Sequence, residues 1–318
     1  MKRGLDFIWP VIGLSAVAFS IWLLSHDKQL RDLGGAEILS ALRAIPLSHW
    51  AAAMLSTAVA YGALAWYDRI ALLHLGRKLS WLFISLTSFT TYALSHNIGM
   101  SMFSGALIRY RAYSTKGLTL PEIGFLVAMC SFTFALGVTL LGGVVLVIEP
   151  EISQRLFDFP VWISRAAGAA MLGVVALYAI GSLLHFKPLQ VGGLTLIYPR
   201  PPILLRQLVA APLELMAAAG IIYFALPAAY NPGFLTVLGI FLASFSAALL
   251  SHAPGGLGVL EFVVLKAMPN VPTNQLAAAL IVFRLFYLVL PLLIGLTVAI
   301  IFERGRFLDI RAGLRAKK

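Results

Sequence analysis

The sequence predicts an all-α polytopic membrane protein of about eight transmembrane helices, with two re-entrant segments set in an internal repeat. Three observations predict it. Only 12% of the 318 residues are charged and 60% are hydrophobic, against roughly 25% charged in an ordinary soluble domain. Five stretches, 7–24, 79–108, 123–148, 166–184 and 215–260, contain no Asp, Glu, Lys or Arg. A hydrocarbon core of about 30 Å takes roughly 20 helical residues, so each stretch can cross it and the last can cross twice. Finally, ALSHNIGMSM (93–102) and LLSHAPGGLG (249–258) set the same Ser-His pair before a break rich in Gly or Pro.

Pro, Gly and charge positions place the spans near 6–24, 46–68, 79–97, 121–148, 161–184, 203–227, 233–252 and 273–302. The first follows Lys2 and Arg3 but ends in LLSHDK with no small-x-small cleavage pattern, so it reads as a retained span rather than a signal peptide. Between the first two spans, GGAEILSALRAI has helical spacing with its charges on one side and is expected to lie along the interface. Cys130 is the single cysteine and sits in an apolar stretch, which leaves no disulfide framework or cysteine metal site and makes it a packing residue. The formal charge of +11 is spread over short loops and the tail, which favours anionic lipid headgroups and not nucleic acid as partner. The chain is expected to form one membrane domain over 1–318, with repeat halves at about 46–148 and 203–302 and no soluble synthase domain.

The orientation signal is weak, with about twelve basic residues inside against about nine outside. The tail ERGRFLDIRAGLRAKK carries six and places both termini in the cytoplasm. Under this count Arg109, Arg111 and Lys116 fall on the outer side, where a plain loop should be poor in them.

Aligning 85–99 (SLTSFTTYALSHNIG) with 241–255 (FLASFSAALLSHAPG) gives identity at seven of fifteen positions, among them Ser88/Ser244, Ser95/Ser251, His96/His252 and Gly99/Gly255. The segments after each copy, 98–113 and 253–268, are apolar, broken and too short to span. The breaks fall at Gly99 and Gly105 in one and at Pro254, Gly255, Gly256 and Gly258 in the other. Irregular backbone at membrane depth must be buried in protein or line a wet cavity, and paired interrupted segments point to a transporter's central site. With four spans between the copies, parity makes them parallel.

Charges inside spans cost about 3 kcal/mol on insertion scales and ask for a partner or a job. Arg284 lies deep in ALIVFRLFYLVLP and is expected to pair with Glu214 or Glu261, or to hold a phosphate while the carboxylate orients it. Arg109 and Arg111 end the first short segment, where a guanidinium fork suits a phosphate diester; the plainer reading is an interfacial anchor. Asp68 and Arg69 sit at a span end and are explained by interface placement. His96 and His252 lack a carboxylate or second His at ligand spacing, so no metal is expected. Each Ser-His pair, with Asn97 beside the first, is instead expected to satisfy helix-end carbonyls while the following glycines turn N–H groups toward a polar pocket that favours an anion.

At YDRIALLHLG (67–76), YALSHNIGMSMFSGALIRYRAYSTKGLT (92–119), LLSHAPGGLGVLE (249–261) and FRLFYLVLPLL (283–293) the sequence resembles a known family. It is similar to the transmembrane flippase domain of bacterial phosphatidylglycerol lysyltransferases, the multiple peptide resistance factors, and to lysylphosphatidylglycerol-synthase-like membrane proteins. The resemblance implies a multi-pass inner-membrane protein that moves aminoacylated phosphatidylglycerol, or a related anionic lipid, between leaflets and so confers resistance to cationic antimicrobial peptides. The candidate substrate-binding residues, read from the charges and breaks above, are Arg109, Arg111, Arg284, His96, Asn97, His252, Glu261 and Asp68. The family's aminoacyl-transfer domain has no counterpart here, so synthase activity is not carried over; a separate synthase is an implied partner. No nucleotide-binding loop is present and no cofactor is expected. Two other classes remain open. One is an intramembrane enzyme on a lipid or polyprenyl phosphate with His96 or His252 as base or nucleophile; the other is a scaffold for a synthase.

Overall fold

The computed structural model describes residues 35–98, 101–186, 189–191, 194–196, 198–251 and 254–315; the expected first span, 6–24, lies outside them. An opening helix, α1 (Gly35–Ala44), meets α2 (Leu47–His74) at an 88° bend beside Pro46. The chain then runs through α3 (Trp81–Ile98), α4 (Ser101–Tyr113), α5 (Leu120–Ile148), the short α6 (Glu151–Phe157) and α7 (Val161–Leu183). After these come α8 (Pro201–Ala225), α9 (Phe234–Leu250), α10 (Val259–Ala267), α11 (Thr273–Phe283), a π-helical segment at Arg284–Val289 and α12 (Leu290–Arg315).

One departure from the all-α expectation is a two-stranded antiparallel hairpin, β1 (Leu189–Val191) with β2 (Leu194–Leu196), in the register Leu189 to Leu196. The stretch LQVGGLTL alternates apolar and polar residues on each side of a Gly-Gly pair, the pattern of a short hairpin.

Eight spans are not found among the described residues, which leave out the expected span 6–24. By length and composition four described helices qualify, Leu120–Ile148, Val161–Leu183, Pro201–Ala225 and Thr273–Arg304, with a fifth if bent α1 and α2 are taken together. The difference lies in α3 and α9, which the sequence presents as spans but which are arms of helical hairpins. Helix α4 folds back along α3: the Phe83 ring meets Tyr113 edge-on at 5.9 Å, and a Cβ placed at Gly105 would lie 3.4 Å from Thr91 and 3.8 Å from Ser95. Both outer ends of this hairpin therefore lie beside the end of α2 and the start of α5, where Arg77 bonds Glu122 at 2.7 Å. Helix α10 folds back along α9 at the opposite end of α5. There Lys266 Nζ donates to the Leu156 carbonyl at 2.8 Å, and Gly239 packs against Val145 and Ile152.

Three helices that run the length of the bundle, α5, α7 and α8, separate the hairpins. An odd number inverts the second copy, which corrects the parallel expectation. The same correction moves Arg109, Arg111 and Lys116 to the end that holds Arg77 and Lys78, so their expected separation from that loop disappears. The core runs through α2 and α8, where Ala60, Ala210, Ala218 and Ala219 are buried, and Ala211 of α8 lets α5 approach closely at Gly137.

Candidate functional site

The two hairpin tips meet in the middle of the bundle. The α3 end packs on the Pro254–Gly256 turn, and His96 stands edge-on to Phe245 at 6.0 Å. The turn needs its glycines: Gly255, Gly256 and Gly258 have φ of 60°, 63° and 78°, a region other residues enter at a cost. Pro254 starts this turn, whereas Gly99 and His252 lie outside the described residues.

Each hairpin is held to its neighbouring helix by one buried ion pair. Asp68, at 0% exposure, takes Arg109 Nη2 at 2.7 Å and Nε at 3.2 Å, and Tyr113 Oη donates to it at 2.8 Å. Arg109 also lies over the Tyr92 ring, 4.9 Å from its centroid. Interface placement does not hold for Asp68, because α4 covers it; Arg69 does sit at the end, over Trp81. In the second half Arg284 pairs with Glu261 and not with Glu214. Its Nε donates to Glu261 Oε1 at 2.7 Å, Nη2 reaches the same oxygen, and Nη1 donates to the Gly255 carbonyl at 3.1 Å. Glu261 Oε2 accepts the Gly258 N–H at 2.9 Å, which seats the carboxylate on the first turn of α10. Both guanidinium forks are thus engaged by carboxylates. Arg111 lies apart, half-exposed, bonded to Glu303 at 2.9 Å.

Of the first Ser-His pair, only the serine acts as expected, and His252 of the second lies outside the described residues. Ser95 and Ser251 do return to carbonyls one turn back, Tyr92 at 3.5 Å and Ala248 at 2.8 Å, the former too long to count for much. His96 does not: it stacks on Tyr287 at 5.5 Å, and among the described residues its buried Nδ1 meets no hydrogen-bond partner. Asn97 takes the linking role, donating to Ala93 O at 2.8 Å and to Leu288 O at 3.2 Å. Leu288 lies in the π-helical segment, where the usual backbone ladder shifts and a carbonyl becomes available; such bulges recur at functional sites.

Sequence reasoning gave Glu214 no role beyond a possible partner for Arg284. At 1% exposure on α8 it accepts Tyr287 Oη at 2.8 Å and Tyr67 Oη at 3.5 Å. Tyr61 Oη donates to the Tyr287 carbonyl at 2.9 Å, so two tyrosines hold the carboxylate and a third braces one of them. The available signal was an acid in an apolar helix together with tyrosines in two other spans. Among the described residues no group of three or more His, Cys, Asp or Glu converges to hold a metal.

Two helical hairpins that enter the bundle from opposite ends, each tied to a neighbouring helix by a buried ion pair, sit among helices long and apolar enough to cross a membrane, which defines a helical membrane protein. The match of residues 11–295 to the lysylphosphatidylglycerol synthase transmembrane region is specific, and the chain belongs to that family. It is 29% identical over 283 residues to the uncharacterized protein slr0712 of Synechocystis, covering 88% of this chain and 87% of that one. It is 28% identical over 304 residues to the inner membrane protein YbhN of Escherichia coli, covering 94% and 90%. A phosphatidylglycerol lysyltransferase of Staphylococcus haemolyticus matches over 95 residues at 35% identity, 29% of this chain and 11% of that enzyme.

Proposed function

We propose that this chain is a lipid translocator of the inner membrane that moves an anionic or aminoacylated phospholipid of the phosphatidylglycerol class between leaflets. The observation that carries the reading is the pair of hairpins that enter the bundle from opposite ends, each held to its neighbouring helix by a buried arginine–carboxylate pair. In a bilayer α2, α5, α7, α8 and α11–α12 cross, and both hairpins are re-entrant. A groove between the halves then reaches either face when they rock about the hairpin tips. The headgroup phosphate competes with Asp68 for Arg109, or with Glu261 for Arg284, because a phosphate diester offers the same planar fork a partner.

Charge supports an orientation. The end that holds Arg77 also carries Arg69, Lys78, Arg111, Lys116, Arg200, Arg206 and Arg304, eight basic residues, against Arg43, Arg155, Arg165 and Lys266 at the other. The positive-inside bias supports a cytoplasmic first end, the side on which both termini are expected. The likeness to YbhN, described as an inner membrane protein, supports the membrane assigned. His96, stacked against Tyr287 with Nδ1 shut in, is poorly placed as a nucleophile, which weakens the enzyme reading at that residue.

The test is reconstitution in liposomes with headgroup-labelled phosphatidylglycerol and its lysyl derivative, timing access of an external quencher to the inner leaflet. Movement faster than in empty liposomes for at least one lipid is expected. No movement across several headgroups overturns the reading, and movement that requires a separate synthase favours a scaffold.

A further inference from the structure

Among the described residues three carboxylates are buried in the bundle: Asp68, Glu214 and Glu261. Two are matched by a guanidinium, so those pairs carry no net charge. Glu214 differs: among the described residues it meets no Lys, Arg or His, only the hydroxyls of Tyr67 and Tyr287. An ionised carboxylate there leaves one uncompensated charge away from water, and a proton is the simplest group that removes it.

The position of Glu214 gives that proton a consequence. Tyr67 adjoins Asp68 on α2, which holds the first hairpin; Tyr287 lies one turn from Arg284, which holds the second. Glu214 therefore bonds to the supports of both halves at once. The contact with Tyr67, at 3.5 Å, is loose enough to run in either direction, because a tyrosine hydroxyl both donates and accepts. With a proton on Oε2, Glu214 donates to Tyr67 Oη and still accepts from Tyr287. When the halves part, both tyrosines cannot follow, water reaches the carboxylate, and the proton leaves.

We propose that Glu214 binds one proton in the closed bundle and releases it when the halves separate, so that proton movement is coupled to lipid movement. The coupling rests on the translocator reading above; the proton site does not. The ionisable groups that face Glu214 are Tyr67 and Tyr61 from α2 and Tyr287 from the π-helical segment, with His96 of α3 behind the Tyr287 ring. Helix α5 contributes Cys130, beside Asp68, and α7 contributes Tyr178, which bonds Gln207 two turns away on α8. Helices α9 and α11 contain no ionisable residue. A hard metal cation takes six or more oxygens, more than one carboxylate and two hydroxyls supply.

Infrared difference spectra of the purified full chain across a pH series test the site, because a protonated buried carboxyl shows a carbonyl stretch that an ionised one lacks. A band that disappears as pH rises, is absent in Glu214→Gln and shifts its midpoint in Tyr287→Phe is expected. A wild-type protein without the band at any pH, or a band unchanged in Glu214→Gln, overturns the proposal. A band removed by sodium chloride at fixed pH overturns the proton in favour of a sodium ion. In proteoliposomes an imposed pH gradient should change the wild-type lipid rate several-fold and leave that of Glu214→Gln unaffected. Equal wild-type rates with and without the gradient overturn the coupling. No wild-type lipid movement, with the band intact, defeats the translocator reading and leaves the proton site standing.

Discussion

Removing one partner of the Glu261–Arg284 pair should destabilise the protein far more than removing both. Glu261 accepts Arg284 through Nε at 2.7 Å and Nη2 and also takes the Gly258 N–H at 2.9 Å, with both side chains 5% exposed. In Arg284→Met the carboxylate keeps its seat on α10 but loses its counter-charge. Breaking a buried pair from one side costs about 3–5 kcal/mol, whereas replacing both members by apolar residues is often neutral. Glu261→Met together with Arg284→Met should therefore recover most of the loss, short of about 1 kcal/mol for the unmet Gly258 N–H. Set against the sum of the two single-variant costs, the coupling is then about 5 kcal/mol or more, over three decades in the unfolding constant. Unfolding of the wild type, both single variants and the double variant in detergent micelles closes the cycle. Single-variant costs that add to within about 0.5 kcal/mol in the double variant would refute the argument.

Three further outcomes are expected. Tyr113→Phe removes one donor to the Asp68 carboxylate and should cost about 1.5–3 kcal/mol, read as a lower melting temperature with the fold retained. Gly258→Ala, with φ 78° and open space around it, should cost about 1–2 kcal/mol, and Gly256→Ala more, because its Cβ would also meet Ala248 at 2.8 Å; paired melting curves give the order. Cysteines at Lys116 and Asn231, in a chain with Cys130 replaced, should react with an impermeant maleimide from opposite faces of oriented vesicles, and labelling from one face for both would remove the inverted arrangement.

The apolar stretches and the duplicated Ser-His break were legible because each is a local property of composition or spacing. Pairing of Arg284 with a nearby acid was legible too, since a lone cation deep in a span must find one. The partner of Arg109 was not: Asp68 lies 41 positions away and looks interfacial until α4 folds over it. Topology failed at one step. An 18-residue helix such as α3 is long enough to resemble a span, and nothing within it shows that the next helix returns along its side. That single misreading changed the parity of the repeat and moved Arg109, Arg111 and Lys116 to the wrong face. Glu214 was seen but undervalued, because its tyrosines come from 147 and 73 positions away.

The central claim is that lipid crosses only when the halves move against each other at the hairpin tips. Gly295 of α12 approaches Ala93 of the first hairpin, where a Cβ would lie 3.0 Å from the Ala93 Cβ, so a disulfide needs the two helices to part by about 0.5–0.8 Å. The decisive measurement is the lipid translocation rate of Ala93→Cys with Gly295→Cys, Cys130 replaced, in proteoliposomes before oxidation, after oxidation and after reduction. The account predicts movement that stops on oxidation and returns with reductant, and an oxidised, fully cross-linked protein that still moves lipid at the reduced rate would contradict it.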